Sequence, residues 1–202
     1  MKYFIGMTFQ KNCWQMQKIS NFQKRVDPFR EKVLTPHVLL LPPFNMLSFR
    51  DETLEDIRDL LEGMFLGDPP GRRLPFHSYD ILVKHKGLLF LIATPFINLL
   101  HAQECLLEFL KNEGAQFLNR PITNKRQQDL FTPRLELGSF WDERALALAN
   151  HVFQETIELP LAPLIEGVFL YRENKLGGII KEQLFSFATI EDRHTSLVRL
   201  TP

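Results

Sequence analysis

Two short segments carry side chains whose types and spacing suit acid–base or anion chemistry. LTPHVLLLPPF presents His37, and FTPRLELGSF presents Arg134 and Glu136. Each has a Thr-Pro pair before the polar residue, and each is apolar enough to be a strand, along which side chains alternate between faces. His37 and Leu39 therefore share one face of the first strand, and Arg134 and Glu136 share the equivalent face of the second. An imidazole titrates near neutral pH and can give or take a proton. A guanidinium stays protonated and holds a phosphate through two parallel hydrogen bonds. A carboxylate beside that phosphate repels it unless it is protonated or paired. Two readings stay open for each side chain. His37 is a partly buried, hydrogen-bonded residue or a proton-transfer group; Arg134 and Glu136 form an ion pair with each other or bind a ligand.

Other polar residues carry less. Lys125 and Arg126, with Arg120, lie in the loop NRPITNKRQQ that leads to the second segment. They either guide an anionic ligand towards that segment or form an ordinary solvated loop. His77, His85, His101, His151 and His194 show no metal-ligand spacing, and no metal or other cofactor is implied. The sequence contains no glycine-rich phosphate loop, GxSxG or HExxH.

Composition narrows the classes further. Hydrophobic residues make up 45% of the 202 residues and charged residues 24%, the mix of a globular protein rather than a disordered or fibrous one. Lys+Arg and Asp+Glu stand at 24 each, so bulk charge gives no argument for nucleic-acid or membrane binding. A phosphate ligand would have to be held by local groups. Cys13 and Cys105 are far apart and read as small reduced hydrophobes. The start lacks the pattern of a signal peptide, and Pro95 interrupts the longest apolar run. A cytoplasmic monomer without a membrane anchor is expected.

The elements that must position these residues alternate along the chain. Strands are expected at Tyr3 to Phe9, Val33 to Leu41, His77 to Val83, Leu88 to Thr94, Leu130 to Leu137, Ile165 to Tyr171 and Gln183 to Ile190. A helix from Trp14 to Phe29 turns Met16, Ile19, Phe22, Val26 and Phe29 inward. A second begins near Asp51 or Thr53, both plausible N-caps, with Leu54, Ile57, Leu60, Leu61, Met64 and Phe65 on one face. A third follows Pro95 and stops at Gly114. A fourth is capped by Asp142, with Ala145, Leu148, Ala149, Val152 and Phe153 inward. Turns are expected at GDPPGRR, Lys84 to Gly87 and Asn174 to Gly178. This order argues for an α+β fold with mostly antiparallel strands. The two halves echo each other: a strand opening on a proline-preceded polar residue, an amphipathic helix, then a hairpin.

With the paired TPHVL and TPRLE strands in place, the chain resembles the 2H phosphoesterase superfamily, which includes the bacterial 2′–5′ RNA ligase (LigT-like) and cyclic phosphodiesterase proteins. The likeness runs from YFIGMTF through PHVLL, HAQECLLEFL and PRLELGSF to GVFLYRE. It implies that residues 1–202 form a single bilobal domain of two intertwined β-α-β-β-type halves. Two antiparallel sheets would flank a central cleft about a pseudo-two-fold, with helices outside. Each half of the family carries a His-x-Thr/Ser-x tetrapeptide, and the two histidines share the proton transfers that cleave a 2′,3′-cyclic phosphate or a 2′–5′ linkage. Only His37 keeps its identity here. Leu39 stands for the first hydroxyl, Arg134 for the second histidine and Glu136 for the second hydroxyl. The resemblance thus implies a diverged phosphoesterase-like protein with impaired or lost two-histidine chemistry, which binds a nucleotide, cyclic phosphate or RNA end. In the alternative, His37 and Glu136 are the acid/base pair of an active phosphodiesterase and Arg134 its phosphate clamp. A protein-interaction module on the same scaffold is a third possibility. Tyr171 lies on a strand whose family counterpart borders the cleft, where it would stack a base, bond a phosphate or simply fill the core.

Overall fold

The computed structural model describes residues 2–27, 36–46, 49–66, 72–83, 87–118, 131–173 and 179–187. The strands are β1 (Lys2–Phe9), β2 (His37–Leu39), β3 (Phe44–Asn45), β4 (Phe76–Val83), β5 (Gly87–Ala93), β6 (Gln116–Phe117), β7 (Arg134–Phe140), β8 (Ile165–Glu173) and β9 (Ile179–Ser186). The helices are α1 (Trp14–Val26), α2 (Asp51–Phe65), α3 (Ile97–Asn112) and α4 (Glu143–Thr156). The fold is α+β. Among the described residues, no helix is long and apolar enough to cross a membrane.

β1 is central because its residues are buried on both faces, as in a strand covered from either side. One edge pairs with β8, and the other takes β2 at Gly6–Thr8 and then β3 at Lys2–Tyr3. β9 extends β8, β6 extends β3, and β7, β5 and β4 continue outward from β2; every pairing is antiparallel. The expectation of two separate sheets is corrected here. The described strands form a single nine-stranded sheet. Its two flanks join where β2 meets β7, through the pair Val38–Leu135. Both side chains of that pair are buried, so joining the flanks also closes the core beneath them.

Ile5, Met7, Phe9, Val38, Leu135 and Leu137 belong to one core with the inward faces of the four helices. α1 and α4 meet at Phe22 and Phe153, in edge contact at 5.7 Å. The apolar spacing of α1 follows expectation, with Met16, Ile19 and Phe22 buried. Asp142 caps α4 as expected, accepting a 2.8 Å bond from the Arg144 main-chain N–H. The inward face of α4, however, is Leu146, Ala149, Val152 and Phe153, while Ala145 is exposed and Leu148 is 63% exposed. The helix is rotated because Leu146 seats against Gly87, whose missing side chain leaves room for it.

Other boundaries also move. α2 is preceded by Arg50 without a side-chain cap; Asp51 and Glu52 lie in its first turn, where carboxylates suit the positive end of the helix dipole. β2 is only three residues long, since Leu40 and Leu41 both turn their N–H groups to the Ile5 carbonyl. β7 begins at Arg134 and runs on to Phe140, and β9 starts earlier than expected, at Ile179. β3 and β6 have no counterpart in the sequence reading. The third helix ends as expected, with Gly114 at φ 81°. Phe29, Val33 to Thr35, Lys84 to Lys86, Asn174 to Gly178, Ile190 and most of GDPPGRR lie outside the described residues.

Candidate functional site

His37, Leu39, Arg134 and Glu136 line one cavity of about 340 Å³. Strand alternation places them there. Val38 and Leu135 point into the core and pair with each other, so their neighbours on either side turn to the opposite face of the sheet. Gln23, Pro36, Leu82, Leu88, Phe90 and Thr132 complete the lining. The cavity therefore opens at the junction of the two flanks, with β2 on one side and β5 and β7 on the other.

His37 lies over β1. Its cross-strand partner is Thr8, and its ring stacks on Phe4 at 5.4 Å with a 27° tilt. Tyr171 stands 5.4 Å from the same ring and stacks almost parallel on Phe4, at 4.5 Å and 6°. The close approach depends on Gly6, where a Cβ would come within 3.2 Å of His37 Cδ2 and of the Val38 carbonyl. Beyond this cluster Thr8 donates to Glu166 Oε2 at 2.7 Å, and Lys181 Nζ lies 3.6 Å from the same oxygen.

Arg134 is exposed, and its guanidinium lies 4.9 Å from the centre of the Phe90 ring. Among the described residues, no ion pair joins it to Glu136. The guanidinium thus makes a cation–π contact on the face it shares with Glu136. The cause is position: Phe90 pairs with Glu136 across β5 and β7, on the face Arg134 occupies one step along. Such a stack leaves the guanidinium fork available to an anion.

Tyr171 is 2% exposed, and its hydroxyl has no hydrogen-bond partner among the described residues. Burial, and secondly the nearby Glu166 charge, push its pKa well above the usual phenol range. It does not line the cavity; it borders it through His37. A buried hydroxyl without a partner costs about 1–3 kcal/mol. Tyr171→Phe is therefore expected to raise stability by roughly 1 kcal/mol, read by chemical denaturation. The pH dependence has a definite sign. Unfolded tyrosines ionise from about pH 10, whereas folded Tyr171 holds its proton to higher pH, so its contribution is lost as pH rises past that point. The variant should lose less stability than the parent above about pH 10. A less stable variant would show that the hydroxyl is satisfied.

Lys125, Arg126 and Arg120 lie outside the described residues. Six lining residues escaped the sequence reading as site residues, among them Thr132, Gln23 and Phe90. Thr132 was visible as part of the shared Thr-Pro pair. Gln23 was visible as a polar break in the α1 face; it is 4% exposed and bonds the Glu136 main-chain oxygen at 3.3 Å. Phe90 gave no signal, because strand β5 is apolar throughout. Among the described residues, no three His, Cys, Asp or Glu side chains cluster as metal ligands.

The chemistry available is anion capture by Arg134, proton exchange at His37 and hydrogen-bond acceptance at Glu136, over a largely hydrocarbon lining. In comparison with known proteins, the chain matches no family model and no curated sequence.

Proposed function

We propose that this chain is a diverged 2H phosphoesterase-like protein that binds a nucleotide, a cyclic phosphate or an RNA end in this cavity and has lost the two-histidine reaction. The observation that carries the reading is the meeting of His37, Leu39, Arg134 and Glu136 in one cavity, from two strands nearly a hundred residues apart in sequence. The strand arrangement agrees with a bilobal, pseudo-two-fold scaffold: β7-β5-β4 and β2-β1-β8 run outward from the Val38–Leu135 junction as similar antiparallel ladders. Arg134 supplies a phosphate clamp but no proton, because a guanidinium does not titrate in this range. Losing one of two acid/base partners typically costs about two to four orders of magnitude in rate.

Calorimetric titration with 2′,3′-cyclic and linear nucleotides should show binding without turnover. Absence of binding across the panel would sink the reading and leave a protein-interaction role. The presence of Glu136 in the cavity with His37 supports the second reading, an active phosphodiesterase with those two residues as acid and base. In that case high enzyme concentrations would release product from cyclic nucleotides, and Glu136→Gln would abolish the release. Unchanged turnover in that variant would reject the second reading.

A further inference from the structure

We propose that Gln23 is a specificity-determining residue whose side-chain oxygen, a fixed and buried acceptor, selects ligands carrying an N–H or O–H donor on their uncharged part. The inference rests on the reading of the cavity as a phosphate site and adds how the rest of the ligand is recognised.

Gln23 is a polar residue on the packed face of α1. Met16, Ile19 and Phe22 are buried on that helix, and so is Gln23. The reason lies in β7, which lacks regular donors at this point. Leu89 faces Gly138 and Phe90 faces Glu136, so Leu137 has no partner on β5. On the other side β2 begins at His37, and Pro36 before it has no main-chain N–H to continue the ladder. Gln23 Nε2 supplies a donor from α1, bonding the Glu136 main-chain oxygen at 3.3 Å. That bond fixes the amide. Turning it over would set two oxygens against each other, so Oε1 stays an acceptor.

Gln23 Oε1 has no hydrogen-bond partner among the described residues, yet it is not sealed from solvent; the sealed unpaired side-chain atoms there are Asn150 Oδ1 and the Tyr171 hydroxyl. Gln23 lines the cavity, so the opening that reaches its oxygen is the cavity itself. The other polar side chains of the lining distinguish donors from acceptors less strictly. The Thr132 hydroxyl gives or accepts as it rotates, and the His37 ring does so by tautomer and protonation. Thr132, His37 and Glu136 also make further interactions within the protein. Arg134 only donates, and Glu136 is a charged, half-buried acceptor. Gln23 Oε1 is thus the fixed neutral acceptor among the described lining side chains.

A ligand that brings an N–H or O–H to Oε1 replaces the water it displaces. One without such a donor leaves a buried acceptor unpaired, and that loss sets the selectivity. In a nucleotide the donor is a base amino group or a sugar hydroxyl, and the test separates the two.

The full chain is titrated with adenosine 5′-monophosphate and with three analogues that each lack one donor: purine riboside 5′-monophosphate, without the amino group, and the 2′-deoxy and 3′-deoxy monophosphates. All four carry the same anion, so Arg134 meets the same group in each. One deletion should weaken binding by about 5- to 150-fold, the effect of one unpaired buried acceptor, and so identify the donor. Gln23→Met keeps the volume and removes the acceptor. In that variant the sensitive pair should bind within about twofold of each other, the missing contact having been lost from both sides of the cycle. Equal binding of all four by the parent, a comparison that needs no variant, would overturn the inference and leave the phosphate-site reading standing. A loss in Gln23→Met shared equally by all four would do the same, because Gln23 would then act only by holding β7. No binding of any of the four would overturn the inference, and silence from the 2′,3′-cyclic nucleotides as well would overturn the phosphate-site reading with it.

Discussion

Arg134→Ala should weaken binding of a nucleoside 2′,3′-cyclic phosphate by about 30- to 700-fold, the equivalent of roughly 2–4 kcal/mol for charge-assisted hydrogen bonds to phosphate and the associated Coulomb attraction. Arg134 is the one permanently charged cation among the described lining residues, so no neighbour of that kind can take over. The protein itself should be little affected. The side chain is exposed, and its contact with the Phe90 ring at 4.9 Å is worth about 0.5–1 kcal/mol. Arg134→Lys should fall between the two, because an ammonium keeps the charge but lacks the planar fork. Calorimetry measures the affinity, and denaturant unfolding separates it from stability. Equal affinity in the alanine variant would mean that the phosphate is held elsewhere.

The largest effect on stability is expected at Gly167→Ala. A Cβ there would stand 2.2 Å from the Phe185 carbonyl oxygen and 3.3 Å from the Phe169 ring. The nearer obstacle is main chain of the adjoining strand, so relief requires β8 and β9 to move apart. We expect a loss of about 3 kcal/mol or more, at the upper end of what overpacking costs. Gly87→Ala makes the informative contrast. The added methyl would meet Leu146 Cδ2 at 2.5 Å, which is the tip of a side chain that can change rotamer. Its cost should be smaller, and a denaturation midpoint for each variant ranks the two. If Gly167→Ala proved as mild as Gly87→Ala, the β8–β9 spacing would have to be wider than described.

How far the sequence could be read depended on whether a signal was local. The β1 run, the α1 spacing, the Asp142 cap and the Gly114 stop are written in neighbouring residues, and the structure has them. Two-residue strands such as β3 and β6 exist only through their partners: Phe44 pairs with Tyr3 and with Phe117, and no local pattern announces it. The face of α4 was misjudged for a related reason. Leu148 and Leu146 both fit an apolar stripe, and the choice was made by the space over Gly87 on a distant strand. For the candidate site, alternation along β2 and β7 was enough to put His37 with Leu39 and Arg134 with Glu136. The contacts of each side chain were not legible. Phe90, which draws the Arg134 guanidinium, lies in a strand whose apolar residues all look alike in sequence.

The Val38–Leu135 junction also bears on the order in which the molecule is assembled. The two strands that it joins are separated by about half of the chain, so pairing them closes a long loop. Such a contact becomes favourable only after the intervening elements have paid much of their ordering entropy. The cavity should accordingly take shape late on the folding pathway. A ligand gripping both β2 and β7 would find little to hold in the transition state and much to hold in the native protein. Its stabilisation would then appear chiefly as slower unfolding, with the rate of folding hardly changed.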